Sequence, residues 1–309
     1  MFSPNTISPL SDSRQTRTHA FGMGLILAST LFFSGMSLLT RVGSEWFRAD
    51  SFVFLRCLIQ ALCLLPLGRE LWPGPERRRP FLKAQFSRGA VGIVSMWLLY
   101  YALARLPLGM VSMLTLSSAL WASLAARIFL GERQGWVRVG MAGWVCLGLL
   151  LVLWPEKGSA AWTYSTDGIL AACASGVSMG IAQTLLRQLS KQFRTRETVF
   201  WMGVFGALLS APVFFQAPQW PADWTQASVI LGVGVLALLG QLFLTRGFRY
   251  TPTLQGSLCV LFGNVWNILF GVVFLSELPP PAFWLGAVIA VSAVVGLMLA
   301  PRGPSPQEA

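Results

Sequence analysis

Asn264 and Asn267 stand three residues apart in a long apolar run, and Gly271 completes their helical face. Thr115, Ser118 and Ala122 make the corresponding stripe in the fourth apolar run of the first half of the chain. Carboxamides and hydroxyls in such surroundings do recognition chemistry: they donate to a carboxylate or accept from an ammonium. Trp121, Trp266 and Trp97, with Tyr100 one turn beyond Trp97, add aromatic faces that stack on an aromatic or cationic solute. Ser37 and Gln183 extend polar faces of two further apolar runs, the second containing the small pair Gly176/Gly180. Arg56 is the one charge well inside a run, six residues after Asp50. It either binds an anionic group or snorkels to an interface or helix end.

None of this is catalytic equipment. Gly176-Val-Ser-Met-Gly180 spells a hydrolase nucleophile motif but lies inside a helical run, where no strand-to-helix elbow forms. The single histidine, His19, precedes the first apolar run, about half a bilayer away from Ser178. The five cysteines form no CxxC pair, and HExxH and P-loop patterns are absent. No catalytic residue, metal ligand or cofactor is expected.

The elements that position these residues are membrane-spanning helices. Of 309 residues, 54% are hydrophobic and 11% charged, against about 25% charged in soluble domains. Ten continuous apolar stretches are long enough to cross a bilayer: 21–40, 51–68, 88–105, 109–130, 136–154, 167–187, 197–216, 226–246, 252–275 and 282–300. The net charge of +11 invites a nucleic-acid reading, yet the basic residues cluster in alternate loops. One side holds eighteen, including Arg77, Arg78, Arg79, Arg88, Arg194, Arg196, Arg246 and Arg249; the other holds Arg41, Arg48, Arg105 and Lys157. That asymmetry puts both termini in the cytoplasm and removes the nucleic-acid reading. The polar first twenty residues carry no cleavable-signal pattern.

The chain also repeats itself. An offset of 145 carries Pro107 onto Pro252, Trp121 onto Trp266 and Glu132 onto Glu277. An offset of 146 carries Gly22 onto Gly168, Arg41 onto Arg187, Gly140 onto Gly286 and Pro155 onto Pro301. Each half holds five spans, so the second half must enter the membrane from the opposite side. Inverted repeats of this kind build secondary transporters with a solute site near the midplane.

The segments YYALARLPLGMVSMLTLSSALWASLAARIFLGERQ and TRGFRYTPTLQGSLCVLFGNVWNILFGVVFLSELPP, ending in FLGE and FLSE, resemble the EamA-like branch of the drug/metabolite transporter superfamily. The resemblance covers residues 21–301 and implies ten helices, alternating inward- and outward-open states, and a cavity bounded by helices 1, 3, 4, 6, 8 and 9. Arg56 departs from the internal symmetry, because its counterpart is Trp201.

The expectation is an all-α membrane protein of ten transmembrane helices in two inverted five-helix repeats. Residues 1–20 are a cytoplasmic tail, 21–155 the first repeat, 156–166 a periplasmic linker, 167–301 the second repeat and 302–309 a cytoplasmic tail. The expected function is movement of a small polar metabolite across a bacterial inner membrane, export favoured. Amino acids and their derivatives head the candidates, ahead of metallophore- and nucleoside-like solutes. Uptake of a small metabolite, and a non-transport role in membrane interaction or lipid translocation, are the alternatives. No acidic residue lies near the middle of a span, which favours a neutral or zwitterionic solute over a lipophilic cation. The partners are the solute and the bilayer; a monomer suffices and a dimer is compatible. Glu132 and Glu277 are expected to fix the turns that follow their spans.

Overall fold

The computed structural model describes residues 9–72, 74–130, 165–251, 253–279 and 281–299, together with positions 144, 147, 148 and 151. Span 5, Glu132, the linker before residue 165, Pro155, Pro301 and the tail 302–309 lie outside the described residues. The described chain is helical: α1 (Pro9–Gly43), α2 (Ala49–Leu64), α3 (Pro75–Leu103), α4 (Leu108–Thr115), α5 (Ser118–Leu130), α6 (Thr166–Gln192), α7 (Thr195–Phe214), α8 (Trp224–Tyr250), α9 (Thr253–Leu275) and α10 (Pro281–Leu299). Six segments are long and apolar enough to cross a membrane unaided: Ala20–Gly43, Ala49–Gly68, Pro75–Leu103, Thr166–Gln192, Thr195–Phe214 and Trp224–Tyr250. Leu170, Leu208, Leu231 and Val273 point outward, as a lipid solvent requires.

Three boundaries differ from the hydropathy reading. Helix α1 starts at Pro9 rather than near residue 21. Helix α3 starts at Pro75 rather than near 88, because Pro75 at its first position and Glu76 in its first turn favour initiation there. Arg88 therefore sits inside a helix, not at its mouth. Span 4 is not one helix but two: α4 stops at Thr115 and α5 resumes at Ser118. At the joint, Ser117 N–H reaches Leu114 O at 3.3 Å and Leu120 N–H reaches Ser117 O at 2.9 Å, a local tightening to three-residue spacing. The Thr115 hydroxyl donates to the Ser112 carbonyl at 3.0 Å, the local competition with the helix ladder that serine and threonine provide.

Helix directions follow from contact register. Along α1, Gly22 faces Tyr250, Gly35 faces Leu236 and Gly43 faces Val229, so α8 descends as α1 rises. Helix α6 is antiparallel to α3: Ser95 and Ser175 exchange hydroxyl-to-carbonyl bonds of 3.3 and 3.0 Å, and Tyr101 Oη donates to Asp167 at 2.8 Å. The C-terminal ends of α1 and α3 meet, where Arg41 Nη1 donates to the Ala104 carbonyl at 3.4 Å. Helices α1 and α3 therefore run together and α6 runs against both. The first helix of the second half is inverted relative to the first helix of the first.

The packing obeys the same exchange of halves. Contact α1–α8 has its counterpart in α6–α3, and α1–α9 in α6 against α4 and α5. Contact α2–α8 is matched by α7–α3, while α2–α7 maps onto itself and lies on the pseudo-axis. Small residues permit the close crossings. A methyl on Gly180 would sit 2.6 Å from the Ser118 carbonyl oxygen and the Ala122 amide, so α5 and α6 touch backbone to backbone there. This is an all-α membrane protein of two inverted repeats, with helices at nine of the ten expected span positions among the described residues.

Candidate functional site

A cavity of about 200 Å³ lies between the halves, walled by α1, α3, α4, α6, α8 and α9 and reached by Arg56 from α2. One buried water needs roughly 10–15 Å³, so this is room for a metabolite. On α3 the lining residues Arg88, Gly92, Ser95, Met96, Leu99 and Leu103 recur at helical spacing along one face. Helix α1 presents Ser34 and Ser37 among others, and α9 presents Asn264 and Asn267. Met36, Met96, Met179 and Met202 supply a pliable apolar surface.

Of the residues singled out in the sequence, Ser37, Arg56, Thr115, Gln183, Asn264 and Asn267 line the cavity. Tyr100 is not among the lining residues but touches one: Arg56 Nη1 donates to Tyr100 Oη at 2.7 Å, and that hydroxyl lies 3.4 Å from Met36 Sδ. The other four sit elsewhere. Ser118 is buried against Gly180. Trp121 is 38% exposed, its Cβ against Gly180. Trp266 packs on Phe270 with ring centroids 6.5 Å apart. Trp97 packs against the main apolar cluster. The physical reason is the break after Thr115, which offsets Ser118 and Trp121 from the face that α4 turns inward.

Arg56 does not snorkel. It is 3% exposed, and its Nε finds no partner. The sequence reading missed a second buried cation of the same kind. Arg88 is 4% exposed; Nη2 reaches Gln241 Oε1 at 3.4 Å, while Nε and Nη1 are unpartnered. The signal for it in the sequence is Pro75 followed by Glu76, which start α3 well before Arg88. Among the described residues, no carboxylate lines the cavity.

Packed groups drawn from both halves lie toward each end of the cavity. At the Arg41 end, Glu277 accepts from Leu108 N–H at 2.7 Å and lies 3.3 Å from Arg41 Nε, joining α1, α9 and α4. Ser276, with φ 54°, reverses the chain after α9 so that this carboxylate swings back. At the other end, Ile26, Leu186, Phe248 and Cys259 form an apolar cluster from α1, α6, α8 and α9. The Ser178 hydroxyl donates to the Ala174 carbonyl of its own helix at 3.0 Å, consistent with a packing residue rather than a nucleophile.

The model of the EamA-like transporter family matches this chain twice, over residues 20–154 and 166–299. The chain belongs to the EamA-like transporter family. It is a transporter, not an enzyme, and a multi-pass membrane protein that handles a small molecule within lipid. The chain is 30% identical over 283 residues to the pseudopaline exporter CntI of Pseudomonas aeruginosa, an alignment spanning 91% of this chain and 97% of that one. It is 24% identical to human solute carrier family 35 member G1, over 89% of this chain and 78% of the relative. A riboflavin transporter of Rhizobium johnstonii is 24% identical across 63% of each chain. A crystal structure sharing 18% identity superposes with a TM-score of 0.56, covering 92% of this EamA-like transporter and 96% of the solved chain, which shows a common fold.

Proposed function

We propose that this transporter exports a small polar metabolite, an amino acid or a derivative of one, across a bacterial inner membrane by alternating access. The observation that carries the reading is one cavity held between two inverted halves, lined by polar and apolar side chains and flanked by the Glu277–Arg41 contact at one end and an apolar cluster at the other. Because the halves interchange under the pseudo-axis, closing one end and opening the other is a swap between two similar packings. The pseudopaline exporter of Pseudomonas aeruginosa, alignable over almost the whole chain, supports export of a small metabolite.

Both termini are assigned to the cytoplasm. Arg194, Arg196, Arg246 and Arg249 gather around one groove at the Gly22 end, whereas Arg41, Arg48 and Arg105 at the opposite end each hold a carboxylate, from Glu277, Asp50 and Asp167. Arginine thus collects on the side that the positive-inside bias makes cytoplasmic. The repeats are taken as 21–155 and 167–301, and one chain, holding both, suffices as a monomer while remaining compatible with a dimer. Ser37, Arg56, Thr115, Gln183, Asn264 and Asn267 contact the solute; Tyr100 acts through Arg56; Trp97, Ser118, Trp121 and Trp266 serve helix packing.

Counterflow into proteoliposomes with a panel of labelled amino acids, amino-acid derivatives and nucleosides tests the assignment. Exchange of at least one polar metabolite is the expected result. Intact protein that exchanges none of them would count against transport of this class.

A further inference from the structure

We propose that the transported solute carries two separated anionic groups, an amino-acid derivative with two carboxylates, bound by Arg56 and Arg88. This rests on the transport reading above and narrows its substrate. Both guanidiniums are almost fully buried, both line the cavity, and between them three nitrogens lack any hydrogen-bond partner: Nε of Arg56 and Nε and Nη1 of Arg88. A guanidinium cannot shed its proton to escape burial. A structural arginine at such a depth holds a carboxylate or a set of carbonyls; these two hold a phenol and, at 3.4 Å, an amide oxygen. Asp50 pairs with Arg48 at 3.1 Å through Oδ1, its buried Oδ2 unpartnered, and Glu277 pairs with Arg41 at 3.3 Å; neither carboxylate lines the cavity. The pair of charges is therefore left for the cargo. A solute with one negative charge would leave one cation uncompensated in a low-dielectric site; two negative charges balance it.

The two guanidiniums reach the cavity from different helices, Arg88 from α3 and Arg56 from α2. A molecule with carboxylates on different carbons meets each cation with its own group, whereas a compact dianion such as phosphate presents its charge at one point. The second half supplies different chemistry. Both arginines come from the first half, whereas Gln183, Gln241, Asn264 and Asn267 all come from the second. Asn267 Oδ1 is buried and unpartnered, an acceptor for the N–H of an amine between the carboxylates. The expectation of a neutral or zwitterionic solute, drawn from the lack of acidic residues in spans, becomes a zwitterion with net negative charge.

Binding and transport need separate measurement. Purified protein in nanodiscs is titrated with matched pairs, L-glutamate against L-glutamine and N-carboxyalkyl amino acids of increasing length against their mono-amides, with inorganic phosphate alongside, and thermal midpoints are read. At least one diacid is expected to bind tenfold or more tightly than its mono-amide and than phosphate. Arg88→Gln is expected to abolish that preference and Arg88→Lys to keep part of it; if Arg88→Gln fails to fold, Arg56→Gln gives the same readout. Equal binding within every pair, phosphate binding as tightly as every diacid, or an unchanged preference in a folded Gln variant overturns the proposal. Counterflow with the same panel distinguishes the two readings. Diacid binding without exchange of any solute removes transport and keeps the anion site, whereas exchange of solutes lacking two carboxylates, without diacid preference, removes the anion site and keeps transport.

Discussion

Glu277 accepts a 2.7 Å hydrogen bond from the backbone N–H of Leu108, a residue in the other repeat. Leu108 opens α4, so its amide has no partner within the helix and its dipole favours a negative charge. Arg41 of α1 completes the arrangement from the third side. A turn residue thereby becomes a clasp across the seam between the halves. A partly buried, charge-assisted contact of this sort contributes about 1.5–3 kcal/mol. Glu277→Gln should release the clasp and open that end more often. The measurement is labelling of Ser37→Cys, in a background without other cysteines, by a membrane-impermeant maleimide. A rise of roughly tenfold, equivalent to about 1.4 kcal/mol, is expected. An unchanged labelling rate would remove the clasp from the mechanism.

Tyr100 holds Arg56 by a 2.7 Å bond and packs edge-on against Phe52, with centroids 5.8 Å apart. Tyr100→Phe keeps the packing and deletes the hydroxyl. The loss of one charged hydrogen bond should loosen the guanidinium and raise the apparent KM for the solute about threefold to tenfold. The maximal rate should stay within about a factor of two, since the change falls on binding. A fall in rate at constant KM would assign Tyr100 to the conformational step instead.

Asn267 and Trp121 separate site from scaffold. Asn267 faces the cavity, whereas Trp121 lies over the Gly180 crossing and is 38% exposed. Asn267→Ala is expected to lower counterflow about tenfold with thermal stability nearly unchanged. Trp121→Ala should lower the thermal midpoint and leave counterflow per folded molecule near the parent value. The reverse pattern would move the site from α9 toward α5.

Gly180 and Gly24 test the packing account. Gly180→Val forces two backbones apart and should destabilise by about 1–3 kcal/mol or more. Gly24 has no neighbour within 4 Å of an added methyl, so Gly24→Ala should be neutral or stabilising by up to about 1 kcal/mol. Thermal unfolding in detergent reads both, and equal effects would argue against a close α5–α6 crossing.

Orientation is checked by reporter fusions, which should place the loops near residues 74 and 192 inside and the loop near 220 outside. A periplasmic reporter at residue 74 would reverse the assigned orientation.

The fold was legible because membrane solvent imposes simple rules on sequence. Apolar length makes a span and clustered arginine makes a side, and five spans repeated at a near-constant offset make an inverted pair; each of these is local or additive along the chain. The face of α9 bearing Asn264 and Asn267 was also legible, since a continuous helix carries spacing faithfully from sequence to space. Where the helix was not continuous the inference failed: the break after Thr115 turned Ser118 and Trp121 away from the cavity, and hydropathy averages over such a kink. The tertiary structure alone decided which charges lie inside. Arg88 read as a loop residue because a charge lowers hydropathy wherever it stands, and only packing against α8 shows it buried and facing the space that Arg56 also reaches. Burial and partnering depend on what the rest of the chain brings alongside, and no local pattern in the sequence records that.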